Sequence, residues 1–85
     1  MVDLAPRLRA TRDLLLPGLR SYNTSNLEFD LLLNLETEIL IVRGFNTANY
    51  KNFYFLITKE EIVDDSFKVK FRPQIKELIE KLEQS

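Results

Sequence analysis

Eighty-five residues suit a single domain over residues 1–85, and 45% hydrophobic with 29% charged residues is a globular composition rather than a disordered one. Twelve basic and thirteen acidic side chains leave a net charge of −1, which argues neither for nor against a polyanionic partner. Without cysteine there is no disulfide framework, thiolate metal site or cysteine nucleophile; without histidine the commonest general base and transition-metal ligand are missing.

The first predicted element is a helix from about Leu4 to Leu16. Asp3 can cap it and Pro6 is tolerated in a first turn. Leu4, Leu8, Leu15 and Leu19 fall near one face, interrupted by Thr11. Pro17-Gly18 should end or kink this helix, with a short turn over Leu19–Tyr22 and a polar loop over Ser21–Asn26. From Glu28 to Leu35 the pattern turns to period two. Phe29, Leu31, Leu33 and Leu35 point one way, and Glu28, Asp30, Leu32 and Asn34 the other, as in a half-buried strand. Glu36-Thr37-Glu38 is a polar break. The β-branched run Ile39–Val42, ending at Arg43-Gly44, completes a hairpin whose turn lacks an Asn-Gly signal.

Phe45–Asn49 is a second connection, and an aromatic third strand covers about Tyr50–Ile57. Thr58 and Glu61 have the spacing of a capping box, which predicts a helical turn over Lys59–Val63. After the loop Asp64–Ser66, the stretch Phe67–Phe71 alternates. It fits either a fourth strand or an extended lead into the last helix. That helix starts at Pro73 and carries the amphipathic stripe Ile75, Leu78, Ile79 and Leu82, with Glu77 and Lys81 as a favourable i,i+4 pair. The predicted class is α+β: a small antiparallel sheet of three to four strands flanked by an N-terminal and a C-terminal helix. Double-stranded-RNA-binding domains share this order. The last helix, however, begins Pro73-Gln74-Ile75-Lys76-Glu77 without a lysine cluster and continues to Glu80 and Glu83, so the order is shared without the motif.

Three groups of residues invite a chemical reading. Arg7, Arg9, Arg12 and Arg20 concentrate positive charge near the N-terminus. Arginine forks suit phosphates or an acidic protein surface, and a solvated helix flank is the plainer explanation. Asp30, Glu36 and Glu38 surround the hairpin and could hold Mg²⁺ as in nucleases. The lysine that such sites place two residues after the second acid is absent, so solvated turn acids fit better. The aromatics from Phe45 to Phe71 could stack nucleobases, although core and sheet-face packing explains them better. Two glycines, Gly18 and Gly44, cannot build a glycine-rich phosphate loop.

The strands carry more apolar side chains than a sheet covered on one side requires. Leu32 opposes Phe29 and Leu31, Leu40 and Val42 oppose Ile39 and Ile41, and Tyr54 and Leu56 oppose Phe53 and Phe55. A sheet apolar on both faces needs cover on both, and two short helices supply it only if one lies on each side. The resulting expectation is a non-catalytic structural or interaction subunit of a larger assembly, of which a virion or phage particle is one setting. Its partner-binding residues are Arg9, Arg12, Arg20, Leu40, Val42, Tyr54 and Leu56, and it has no catalytic or metal site and no cofactor. Its partner is a protein, through self-association or a larger assembly. The alternative is a small nucleic-acid-binding protein using the N-terminal arginines. No apolar run approaches the ~18 residues of a membrane span, and the N-terminus lacks the apolar stretch of a signal peptide, so the expected location is cytoplasmic or in a particle assembled there.

Overall fold

Six elements follow one another in the computed structural model, which describes residues 3–84: α1 (Ala5–Arg20), β1 (Leu27–Asn34), β2 (Ile39–Asn46), β3 (Asn52–Ile57), α2 (Lys59–Val63) and α3 (Phe67–Glu83). The strands form one antiparallel meander in the order β1-β2-β3, giving the small α+β fold that the sequence pattern predicts, with three strands.

Helix α1 starts where the Ala5 N–H donates to the Asp3 carboxylate at 3.0 Å. It continues through Pro17-Gly18, past the predicted end at Leu16. Proline removes one i→i−4 hydrogen bond and crowds the preceding turn. The final turn forms nonetheless, because Leu19 is completely buried in the core. Thr11, the break in the apolar stripe, is buried and donates its hydroxyl to the Arg7 carbonyl at 2.8 Å, so its polar atom is satisfied within the helix.

The β1–β2 register sets Phe29 opposite Gly44, Leu31 opposite Val42 and Leu33 opposite Leu40. Strand β3 then sets Phe55 opposite Val42 and Ile57 opposite Leu40. In the hairpin turn the Asn34 carboxamide oxygen accepts from the Thr37 N–H, and Glu38 takes a left-handed conformation with φ 56°. This turn chemistry replaces the missing Asn-Gly signal.

Helix α3 begins at Phe67, so the segment Phe67–Phe71 is neither a fourth strand nor an extended lead, and Pro73 lies inside the helix rather than at its start. Phe67, Phe71, Ile75, Leu78 and Leu82 are all buried and form one stripe at helical spacing. Val69 separates the two readings. On a strand it would share a face with Phe67 and Phe71, but on the helix it points away and is 79% exposed. The predicted capping box is present: the Thr58 hydroxyl accepts from the Glu61 N–H, and the Glu61 carboxylate accepts from the Thr58 N–H. The Glu77–Lys81 pair also forms, at 3.5 Å.

Both long helices pack on the same face of the sheet, α1 over β1 and α3 over β2 and β3. The core between them contains Leu8, Leu19, Phe29, Leu31, Leu40, Val42, Ile57, Ile75 and Leu82 among its buried side chains. Gly44 permits the close approach of α3. A Cβ at this position would lie 2.7 Å from Leu82 Cδ1 and 2.9 Å from Phe29 Cε1. Beyond Gly44, the buried Asn46 side chain donates through Nδ2 to the Leu82 carbonyl at 2.8 Å and accepts the Ala48 N–H at 2.8 Å. Asn49 Nδ2 donates to the same Leu82 carbonyl at 3.1 Å. Asn46 at the end of β2 and Asn49 in the β2–β3 connection thus satisfy a carbonyl in the last turn of α3 that has no partner within the helix.

Candidate functional site

With both helices on one side, alternate residues of all three strands are left on the other. The register arranges them in rows: Glu28, Phe45 and Asn52; Asp30, Arg43 and Tyr54; Leu32, Ile41 and Leu56; and Asn34 beside Ile39. The third row is an apolar band across the full width of the sheet. Leu32 and Leu56 are each 40% exposed at its ends, and Ile41 is half-buried between them. Tyr54 beside it is 65% exposed. One further row along, Phe45 is half-buried. A shallow depression of about 440 Å³ opens here, lined by Glu28, Asp30, Arg43, Phe45, Asn52 and Tyr54.

Asp30 and Arg43 face each other across β1 and β2 with 3.4 Å between carboxylate and guanidinium, both largely exposed. Such a pair adds little stability in solvent but fixes the position of two opposite charges on the surface. Glu28 adds a second carboxylate on the same strand. This face therefore combines an apolar band with a polar border of mixed sign, an arrangement common in protein interfaces.

The residues expected at a partner surface separate into three places. Tyr54 and Leu56 lie on the open face. Leu40 and Val42 do not: both are 0% exposed and belong to the core, which corrects their assignment. Both faces of β2 are apolar over Ile39–Val42, so composition could not show which the helices cover. The register decides it by aligning Leu40 and Val42 with Leu33 and Leu31. The outward residues of β2 are Ile39, Ile41, Arg43 and Phe45, none of which the sequence pattern assigns to a partner surface, and Ile41 is the one at the centre of the apolar band. Its signal was its place between Leu32 and Leu56 on neighbouring strands, which requires the register.

The arginines lie on α1, behind the closed face. Arg9 and Arg20 are exposed, and Arg12 is half-buried with its Nε 3.2 Å from Asp13. Arg7 is engaged within the chain: its Nη2 donates to the Val63 carbonyl at 3.0 Å and lies 3.5 Å from Asp65, joining α1 to the α2–α3 connection. Of the three hairpin carboxylates, Asp30 pairs with Arg43, Glu36 is exposed in the turn and Glu38 closes it. Among the described residues no three acidic side chains converge in a group that could hold a metal ion, and no helix is long and apolar enough to cross a membrane. No protein-family model, curated protein or solved structure matches this chain.

Proposed function

We propose that this protein is a non-catalytic interaction subunit that docks a protein partner on the open face of its sheet. The observation that carries the reading is the band Leu32–Ile41–Leu56, which crosses all three strands on the side neither helix covers. An antiparallel sheet tolerates one solvated face when that face is polar. Here its centre is aliphatic, flanked by Tyr54 and Phe45, and covering it removes apolar surface from water at roughly 25 cal/mol per Å². The charges Glu28, Asp30 and Arg43 on the same face supply orientation rather than affinity.

Nucleic-acid binding fits this arrangement less well. The exposed N-terminal arginines Arg9 and Arg20 are behind the closed face, whereas Tyr54 lies on the open one beside Glu28 and Asp30. One bound strand cannot use those guanidinium groups and the aromatic ring together; the one guanidinium beside the ring, Arg43, is paired with Asp30, and the carboxylates repel phosphate.

A photo-crosslinking amino acid placed at Leu56, and separately at Arg9, tests the proposal in cells. Residue 56 should give protein adducts of defined mass that disappear when Ile41→Lys is added, and residue 9 should not. Adducts confined to residue 9, or salt-sensitive DNA binding lost in an Arg9→Ala/Arg12→Ala variant, would overturn it.

A further inference from the structure

The two edges of the sheet are finished differently. In an antiparallel ladder, alternate residues direct both backbone groups toward or away from the neighbouring strand. The pairing of β1 with β2 therefore leaves Leu27, Phe29, Leu31 and Leu33 facing outward at the β1 edge. There the preceding loop takes up the first of them. The Thr24 hydroxyl accepts from the Leu27 N–H, the Thr24 N–H donates to the Leu27 carbonyl, and the Asn23 carboxamide oxygen accepts from the Phe29 N–H, each at 3.0 Å.

No such cover exists at β3. Asn46 donates to the Lys51 carbonyl, and Phe53, Phe55 and Ile57 face β2, so the backbone groups of Asn52, Tyr54 and Leu56 point outward. Among the described residues they have no hydrogen-bond partner. The strand is Asn-Phe-Tyr-Phe-Leu-Ile, with no charge, proline or glycine to block another strand. Phe53 is 37% exposed although it lies on the helix-covered side, and a groove of about 190 Å³ runs beside it between β3 and α3. The Glu77–Lys81 pair forms part of the groove's rim, and its opposite charges leave that part neutral.

We propose that the β3 edge pairs with the β3 edge of a second copy of this chain, in antiparallel register about Tyr54, to make a continuous six-stranded sheet. The inference rests on the reading of the chain as an interaction subunit and names one of its partners. The strand is complementary to itself in that register. Tyr54 meets its own copy, Asn52 meets Leu56, and Phe53 meets Phe55, so no like charges are opposed and the exposed Phe53 ring gains an aromatic neighbour. Every outward backbone group of Asn52, Tyr54 and Leu56 gains a partner. A two-fold axis normal to the sheet keeps both open faces on the same side, so two Leu32–Ile41–Leu56 bands form one platform. A six-residue edge buries less than the roughly 1,200 Å² of a standard stable interface, so the dimer is a weak, concentration-dependent one.

Sedimentation velocity over a concentration series tests this with the wild type, Tyr54→Pro and Ile41→Lys. Proline at position 54 removes an N–H that faces away from β2, a location edge strands tolerate. Wild type and Ile41→Lys should rise toward twice the 10.0 kDa chain mass, while Tyr54→Pro stays at 10.0 kDa. In the wild type, amide exchange at Asn52, Tyr54 and Leu56 should slow by about tenfold or more as the dimer fills, which decides the matter even if Tyr54→Pro fails to fold. A monomer at all concentrations with unchanged exchange overturns the inference. So does a dimer that survives Tyr54→Pro and is lost in Ile41→Lys, since the copies then meet face to face. Loss of the edge dimer with open-face crosslinks retained defeats this inference alone, whereas an edge dimer without those crosslinks defeats the face reading and leaves only the pairing.

Discussion

Residues 40 and 41 are neighbours of nearly equal hydrophobicity, yet they have opposite surroundings. Leu40 is sealed beneath the helices, whereas Ile41 lies in the open band. The contrast extends along β2, where Leu40, Val42, Gly44 and Asn46 are buried and Ile39, Ile41, Arg43 and Phe45 are not fully covered. Burial in this sheet is therefore set by where α1 and α3 dock, and apolar composition alone does not reveal the side. Two helices on one side leave the other face with an apolar centre that neither of them covers.

The sharpest way to break this comparison is to truncate each neighbour in turn. Leu40→Ala should cost about 2–5 kcal/mol in denaturant titration, because the surrounding side chains can only partly collapse into the space. Gly44→Ala should follow at about 1–3 kcal/mol, since Leu82 and Phe29 must both move to admit a methyl group. A melting temperature unchanged by Gly44→Ala would show that α3 sits less tightly on β2 than the contacts imply. Ile41→Lys should cost under about 1 kcal/mol, within the span of strand propensities. A loss as large as that of Leu40→Ala would mean that the open face is covered within the folded monomer.

The smallest effect lies at the connection between α2 and α3. The Ser66 backbone N–H donates to the Asp64 carboxylate at 2.9 Å, with a further contribution from the Ser66 hydroxyl, and holds the Asp64 pKa below its usual 3.8. A carboxylate with a depressed folded-state pKa contributes stability that is present above its unfolded pKa and lost as pH falls through the folded value. Asp64 is fully solvent-exposed, so an NMR titration should show a midpoint below 3.8 with only a slight change in unfolding below that pH. A midpoint at or above 3.8 would remove the hydrogen bond from the account.

The sequence pattern read some elements correctly because local chemistry determined them. Thr58 and Glu61 specify their capping box within four residues of chain, and the alternation from Phe29 to Leu33 identifies β1 and its covered side. Where it failed, distant packing prevailed over local signals. Pro17 should have ended α1, but burial of Leu19 holds the final turn in place. Phe67 and Phe71 are four apart, a spacing common to a strand face and a helix face, and Pro73 then looked like a beginning. Burial of Phe67 and Phe71 in line with Ile75 extends the helix backward through that proline. Tyr54 and Leu56 could be placed on a possible surface from alternation alone. Ile41 could not be distinguished from Leu40, because only the cross-strand register and the helix positions separate them.

The asparagine contacts at the end of α3 bear on how the molecule opens. Terminal helical turns ordinarily fray with almost no resistance, because their last carbonyls exchange freely with water. Here the Leu82 carbonyl accepts from Asn46 and Asn49, and the Lys51 ammonium donates to the Gln84 carbonyl. Unwinding that turn strands the buried carboxamide of Asn46 and uncovers Phe29 beside Gly44. The last turn of the helix and the β2–β3 connection are thereby joined into one cooperative unit, and their amides should exchange together and late, at a position in the chain where most proteins exchange first.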